Sequence, residues 1–347
     1  MITSKAIILL HTFNFIVQPR VFRDYDKPMH NITLCYSTHR PETLALTLRI
    51  LQEHDVIVLE EPLHPDFHKA LGGGVELEEH LLEVDSAYPV FTLGQYRLLQ
   101  QLFKAGKEIL QVEPYLDHLL SIQYFFAAEH RPDELVPDTP AHAVYRSERD
   151  ATKNLIRYYQ EVRGDDFPKI LAAMNRFARA DARRFVLRDS LRAKRILEVL
   201  VPGKDTCIEA GSIHLFLKCL LVKGLSSEWR LRIHDIDGEA VKMLNLHGSL
   251  FSPGDELTLD YIFGRSVSRK KWQLCCAQSL IYSKIITKEE LSGGDDDFPH
   301  TRDEIAAIAV VKQLSVAACA ALFQRIRSLS SGDAAELTAK YVQVKSV

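Results

Sequence analysis

The chain has little of what marks several large functional classes. Its six cysteines form no C-x-x-C pair and most lie in apolar runs, which excludes a zinc ribbon or disulfide framework and points to free thiols in a reducing cytoplasm. There is no G-x-x-x-x-G-K-[ST] loop, no G-x-G-x-x-G turn and no G-x-S-x-G elbow, so nucleotide binding through those devices and serine hydrolysis lack support. Charge of one sign is not in excess. With 43 basic and 46 acidic side chains the net charge is −3, which gives no footprint for nucleic acid or an anionic membrane. The apolar stretch 6–17 is short for a membrane span, is interrupted by His11, Thr12 and Asn14, and precedes no small-residue cleavage site. Asp235-Ile236-Asp237-Gly238 begins like a calcium loop but lacks the downstream ligand series, and reads as a turn.

What is present suits a large soluble core: 347 residues, 46% of them hydrophobic. Short apolar runs at 31–36, 55–60, 108–113, 205–210, 229–234 and 256–261 read as strands. Between them, helical periodicity appears from Pro41, at 76–83, 92–105 and 115–129, in two long helices over 145–200, and at 213–222 and 238–246. Alternation of this kind predicts an α/β fold: a mainly parallel central sheet with helices on both faces, helical insertions and a helical C-terminal segment, including one long helix over 301–329. The expected divisions are an N-terminal extension at 1–28, with Met29 as an alternative start, a core at 29–265 and a C-terminal segment at 266–347 packed on it. Within the core, the prolines and triple glycine of 62–105 suggest a lid.

Polar residues at strand ends carry the chemistry. His39 follows the first strand, Glu60 and Glu61 end the second, Glu113 the third, and His214 follows the fourth, which also holds Glu209. In a parallel sheet the carboxyl ends of the strands share one edge, so these groups are expected in one crevice. Two imidazoles and a carboxylate suit a divalent metal or acid/base catalysis. Adjacent strand residues face opposite sides, so one of Glu60 and Glu61 faces the site. The basic run Arg183, Arg184, Arg188, Arg192, Lys194 and Arg195 reads as a solvated helix face.

The ordered set of His39 after a strand, Asp55 through Glu60, Arg188-Asp189 through Ala193, and Gly211 through His214 resembles a superfamily spanning about residues 31–222 of this chain. That superfamily contains TraB/pheromone-shutdown proteins, Tiki proteases, erythromycin esterases and ChaN-like haem-binding proteins. The chain departs from its pattern at Tyr36, where glycine is usual, and Arg149-Asp150 competes with Arg188-Asp189; spacing to the second histidine favours Arg188. The resemblance implies hydrolysis of an ester or amide bond in a small molecule or peptide, and its spacing selects Glu60 over Glu61. Glu60, Arg188 and His214 are then the expected catalytic residues, Arg188 holding a substrate carbonyl or oxyanion. His39, Glu60 and His214 are the expected ligands of a metal such as Zn or Mn, or else a histidine/glutamate acid/base pair. Glu61, Glu113 and Glu209 are secondary. The alternative is non-enzymatic ligand binding, haem-type, or a regulatory protein of the same fold.

Overall fold

The computed structural model describes residues 29–83, 88–291 and 297–345; the expected N-terminal extension lies outside them. Five strands, β1 (His30–Ser37), β2 (Val56–Leu59), β3 (Glu108–Gln111), β4 (Thr206–Gly211) and β5 (Trp229–Asp235), form one all-parallel sheet in the order β3-β2-β4-β1-β5. The connecting helices, in chain order, are α1 (Leu44–Gln52), α2 (Phe67–Gly72), α3 (Leu77–Glu83), α4 (Pro89–Lys104), α5 (Pro114–Ala127), α6 (Pro140–Glu161), α7 (Phe167–Val199) and α8 (Leu215–Gly224). After β5 come α9 (Ile236–Met243), α10 (Pro253–Ile262), α11 (Arg269–Ile285), α12 (Pro299–Val311), α13 (Val316–Ile326) and α14 (Ser331–Lys345).

This strand order fixes which helix lies on which face. The chain steps toward one edge from β1 to β2 to β3, then toward the other from β3 to β4 to β5. Right-handed crossovers therefore put the two halves on opposite sides. On one face, Cys35, Ile57, Leu59 and Cys207 pack with α1, α4 and α9 through Ile50, Leu99 and Ile236. On the other, Ile32, Leu34, Val58, Ile208 and Ala210 pack with α7 and α8 through Ile196 and Leu217. The connection leaving β4 goes to the opposite face from those leaving its neighbours β2 and β1, the arrangement that opens a crevice beyond a strand's carboxyl end.

Segment 62–105 forms α2, α3 and α4 around residues 84–87, which lie outside the described residues. Phe67, Leu71, Tyr96 and Leu99 are buried in the core of the first face, so α2 and α4 are part of the sheet's cover.

Two elements differ from expectation. Residues 256–261 are not a strand but lie in α10. Ser252 Oγ accepts from Asp255 N at 3.2 Å while Asp255 Oδ2 accepts from Ser252 N at 2.9 Å, a capping box with Pro253 in the first turn. The Leu257/Leu259 alternation that reads as a strand arises because this helix is buried on several sides, Thr258 and Asp260 included. The single helix over 301–329 is two, α12 and α13, because Ser315 caps a new start by accepting from Ala318 N at 3.2 Å.

Candidate functional site

Strand alternation carries Glu60 onto the α7 face, following Val56 and Val58, and Glu61 onto the α4 face, following Ile57 and Leu59. Glu60 meets α7 there. Its Oε1 accepts from Arg188 Nη2 at 2.7 Å and lies 2.9 Å from His214 Nε2, while its Oε2 accepts from Arg192 Nη1 at 3.2 Å and Gly211 N at 2.6 Å. Arg188 and Arg192, four residues apart, share one helix face. Arg192 is wholly buried, and also donates to the carbonyls of Val112 and Glu209. These two arginines therefore depart from the solvated face expected of the basic run, whereas Arg183 on the same helix is 64% exposed. The fold leaves Arg149-Asp150 outside this cluster: on α6, Asp150 pairs with Arg183 at the surface.

His214 opens α8 and is held from both sides, by Glu60 at Nε2 and by Asp189 Oδ1 at Nδ1, 2.5 Å away. Burial disfavours its charged form, but Glu60 and Asp189 outweigh burial and raise its pKa to about 9, which favours the imidazolium at neutral pH. Burial likewise opposes ionisation of Glu60, and His214, Arg188 and Arg192 overcome it, leaving this carboxylate well below its ordinary range. Glu113 is the N-cap residue of α5, but its side chain makes no capping hydrogen bond. It is fully buried with Oε2 3.2 Å from Arg188 Nε and 3.7 Å from Arg192 Nε, and burial raises its pKa against the two guanidiniums. Tyr36, the departure from the family's glycine, is buried, and its hydroxyl donates to the His214 carbonyl at 3.3 Å.

His39 lies two residues beyond β1 and adopts the left-handed region, at φ 56°. The ring is 31% exposed, stacks on Phe91 with centroids 5.3 Å apart, and places Nε2 3.9 Å from Glu209 Oε1. Burial pushes its pKa below the ordinary histidine value, and the charges of His214, Arg192 and Arg188 act in the same sense against Glu60. Glu209 faces α4, where both its oxygens accept from Gln95 Nε2 at 3.0 and 3.1 Å. Burial, with the charges of Glu61 and Glu60, drives it up to about 8. Glu61 accepts from Tyr96 and Gln111 at 3.2 and 3.1 Å, and burial raises it too.

His39, Glu60 and His214 converge on Gly211. A methyl group added to that glycine would lie 3.5 Å from His214 Cδ2, 3.7 Å from Glu60 Oε2 and 3.9 Å from His39 Cε1, which marks a small open space among the three. Their bonding does not fit a divalent metal. A carboxylate offers about four lone-pair positions, and four donors take those of Glu60. His214 faces a carboxylate at each ring nitrogen, Glu60 at Nε2 and Asp189 at Nδ1, an arrangement that favours the doubly protonated ring, which has no lone pair to give a metal. Among the described residues no group of three or more His, Cys, Asp and Glu side chains is arranged to hold a metal ion. Haem fits no better, because besides Phe91 the His39 ring has the ionic Glu60, Arg188 and His214 about it, poor neighbours for a large apolar ring.

Sequence reasoning missed Arg192, Asp189 and Gln95 as members of the site. For Arg192 the sequence carries part of the signal, two arginines four apart on a helix that must cover a sheet, but the acceptors it meets are set across the sheet.

No family model matches the chain, and no solved structure matches it. It is similar to an uncharacterised protein of Archaeoglobus fulgidus, 29% identical over 294 residues that make up 84% of this chain and 98% of the relative. That stretch is longer than everything before residue 266, so the similarity reaches into the C-terminal helices. Among the described residues no helix is long and apolar enough to cross a membrane.

Proposed function

We propose that the chain hydrolyses an ester or amide bond in a small molecule or peptide, with His39 as general base toward water and Arg188 as donor to the developing oxyanion. One observation carries this reading. Two imidazoles flank the open space at Gly211, and their surroundings push their proton affinities apart: His39 is lowered while His214 is raised to about 9. Divergent titration of paired groups is how acid and base roles are assigned in one site. His39, neutral and partly exposed, is free to take a proton from water as the water attacks the carbonyl carbon, and then to pass it to the leaving alcohol or amine. Arg188, 22% exposed and bonded to the Glu60 that borders this space, is the group to meet the charge that forms on the carbonyl oxygen. Glu60 acts through the others, holding the two arginines and His214 in charged, fixed positions. The six cysteines, all free thiols, support a cytoplasmic location.

The test is hydrolysis of p-nitrophenyl acetate and of a p-nitroanilide by wild type and His39→Gln. The variant is expected to lose about 100-fold or more in kcat. The wild-type rate should rise with pH to a plateau as His39 loses its proton, and fall as pH passes about 9, where His214 loses its own. Wild-type turnover in His39→Gln sinks the proposal. Stoichiometric zinc or manganese, or a Soret band, that disappears in the same variant replaces it with metal or haem chemistry.

A further inference from the structure

The Asp235-Ile236-Asp237-Gly238 run puts a carboxylate between the two histidine-bearing loops. Asp237, in the first turn of α9, is only 4% exposed. Its Oδ1 accepts from the backbone N of Thr38 at 3.2 Å and from Thr38 Oγ1 at 3.0 Å, and its Oδ2 accepts from Ser212 Oγ. Thr38 immediately precedes His39, and Ser212 stands two residues before His214. The loops also touch directly, Ser212 N donating to the Ser37 carbonyl at 3.1 Å. One acidic side chain thus joins the carboxyl ends of β1 and β4 to the element that follows β5.

His39 needs such an anchor. A histidine at φ 56° occupies a region disfavoured for a residue with a Cβ, and neighbouring contacts must hold the backbone there. The anchors are at hand: His39 N donates to Ser37 Oγ at 3.2 Å, and the preceding residue is gripped twice by Asp237. Three donors converge on Asp237, so a group that only accepts is suited to the place.

We propose that Asp237 is a positioning residue that sets the His39 ring against Gly211 by tying the loops of both histidines to the start of α9. This rests on the reading of His39 as the general base, but the geometry is measurable without a substrate. In the full-length protein, long-range 1H–15N spectra report the ring nitrogens of each histidine, with His39 assigned by its absence in His39→Gln. In Asp237→Ala the His39 cross-peaks should move or broaden, while those of His130, paired with Glu134 before α6, and of His142, in the first turn of α6, stay in place. Asp237→Asn keeps an oxygen for Thr38 and presents an amide toward Ser212 Oγ, a hydroxyl able to accept, so it should return the His39 peaks to their wild-type positions. His39 peaks in folded Asp237→Ala that coincide with wild type overturn the proposal. Should Asp237→Ala not fold, Thr38→Val combined with Ser212→Ala removes the two hydroxyl donors and must produce the same displacement. Failure of ester hydrolysis alone leaves these spectra unaffected, so the two readings fail separately.

Discussion

Each oxygen of Glu60 is met by two donors, and three of the four belong to the cationic side chains Arg188, Arg192 and His214. Neutralising it in Glu60→Gln removes the charge that balances them and puts an amide NH2 where a donor already points. Breaking a buried ion pair from one side costs about 3–5 kcal/mol, so urea unfolding should show a large loss; a variant as stable as wild type would contradict the pairing. The pH dependence has two signs. His214 is raised in the folded state, so its contribution is complete below 6.5 and fades as pH rises toward about 9. Glu60 is depressed, so the same ion pair, counted once, is also lost as pH falls below the ordinary carboxylate range. Glu209 is raised from 4.5 to about 8, which makes its ionisation in the folded state unfavourable and lowers stability across that interval. Glu209→Gln cannot ionise. It should therefore lose less stability than wild type between those two pH values, and parallel urea midpoints for the two proteins would refute the assignment.

Among the elements, the sheet was the most legible part of the sequence, and the reason is its two-sided burial. All-parallel strands carry continuous apolar runs, and β1, β2 and β4 announce themselves that way through Ile32 to Tyr36, Val56 to Leu59 and Cys207 to Ala210. The convergence of His39, Glu60 and His214 follows from the same logic, because each lies at or just beyond a strand's carboxyl end. Long helices hide their partners better. The period of α7 locates its buried stripe, but that Arg192 lies in the stripe depends on the place of Glu60 and Val112 across the sheet, a non-local fact. Local pattern also misleads at α10, where a Ser-Pro-Gly-Asp start outranks two alternating leucines. Gly211 at the end of β4 tests the site at this scale. An alanine methyl there meets its three neighbours at 3.5 to 3.9 Å, ordinary contact distances, so Gly211→Ala should keep wild-type thermal stability. It fills the space in which a water would stand beside His39, so ester hydrolysis should fall to the level of His39→Gln. Full activity in a folded Gly211→Ala would mean that the reaction takes place elsewhere.

Over the whole molecule, two cores share one helix. The first turns of α7 place Phe167, Ile170 and Leu171 in a cluster with Leu257 of α10, Leu280 and Ile281 of α11 and Leu322 of α13. Its last turns place Ala193 and Ile196 under the sheet. At 33 residues α7 is about 50 Å long, a rigid rod from the C-terminal helices to the crevice. A second tie is made just after His39. Glu42 accepts from His300 N at 3.2 Å, His300 Nδ1 at 2.6 Å, Thr301 N at 2.9 Å and Thr301 Oγ1 at 2.9 Å, and Arg40 pairs with Glu304 at 2.7 Å. Glu42→Ala leaves four buried donors unmet, which is expected to cost at least about 3 kcal/mol. Because α7 is common to both cores, that loss should lower the stability of the entire chain rather than release the C-terminal helices alone. The two tryptophans report this separately, since Trp229 lies on β5 and Trp272 on α11 beside the C-terminal cluster. With Trp272→Phe the fluorescence follows the sheet, and with Trp229→Phe it follows the helices. Referred to circular dichroism of the same variant, each signal should give the same urea midpoint as the ellipticity, and Glu42→Ala should move both midpoints together. A Trp272 signal lost well before Trp229 would divide the molecule into two units that unfold apart, and the coupling assigned to α7 and Glu42 would then be wrong.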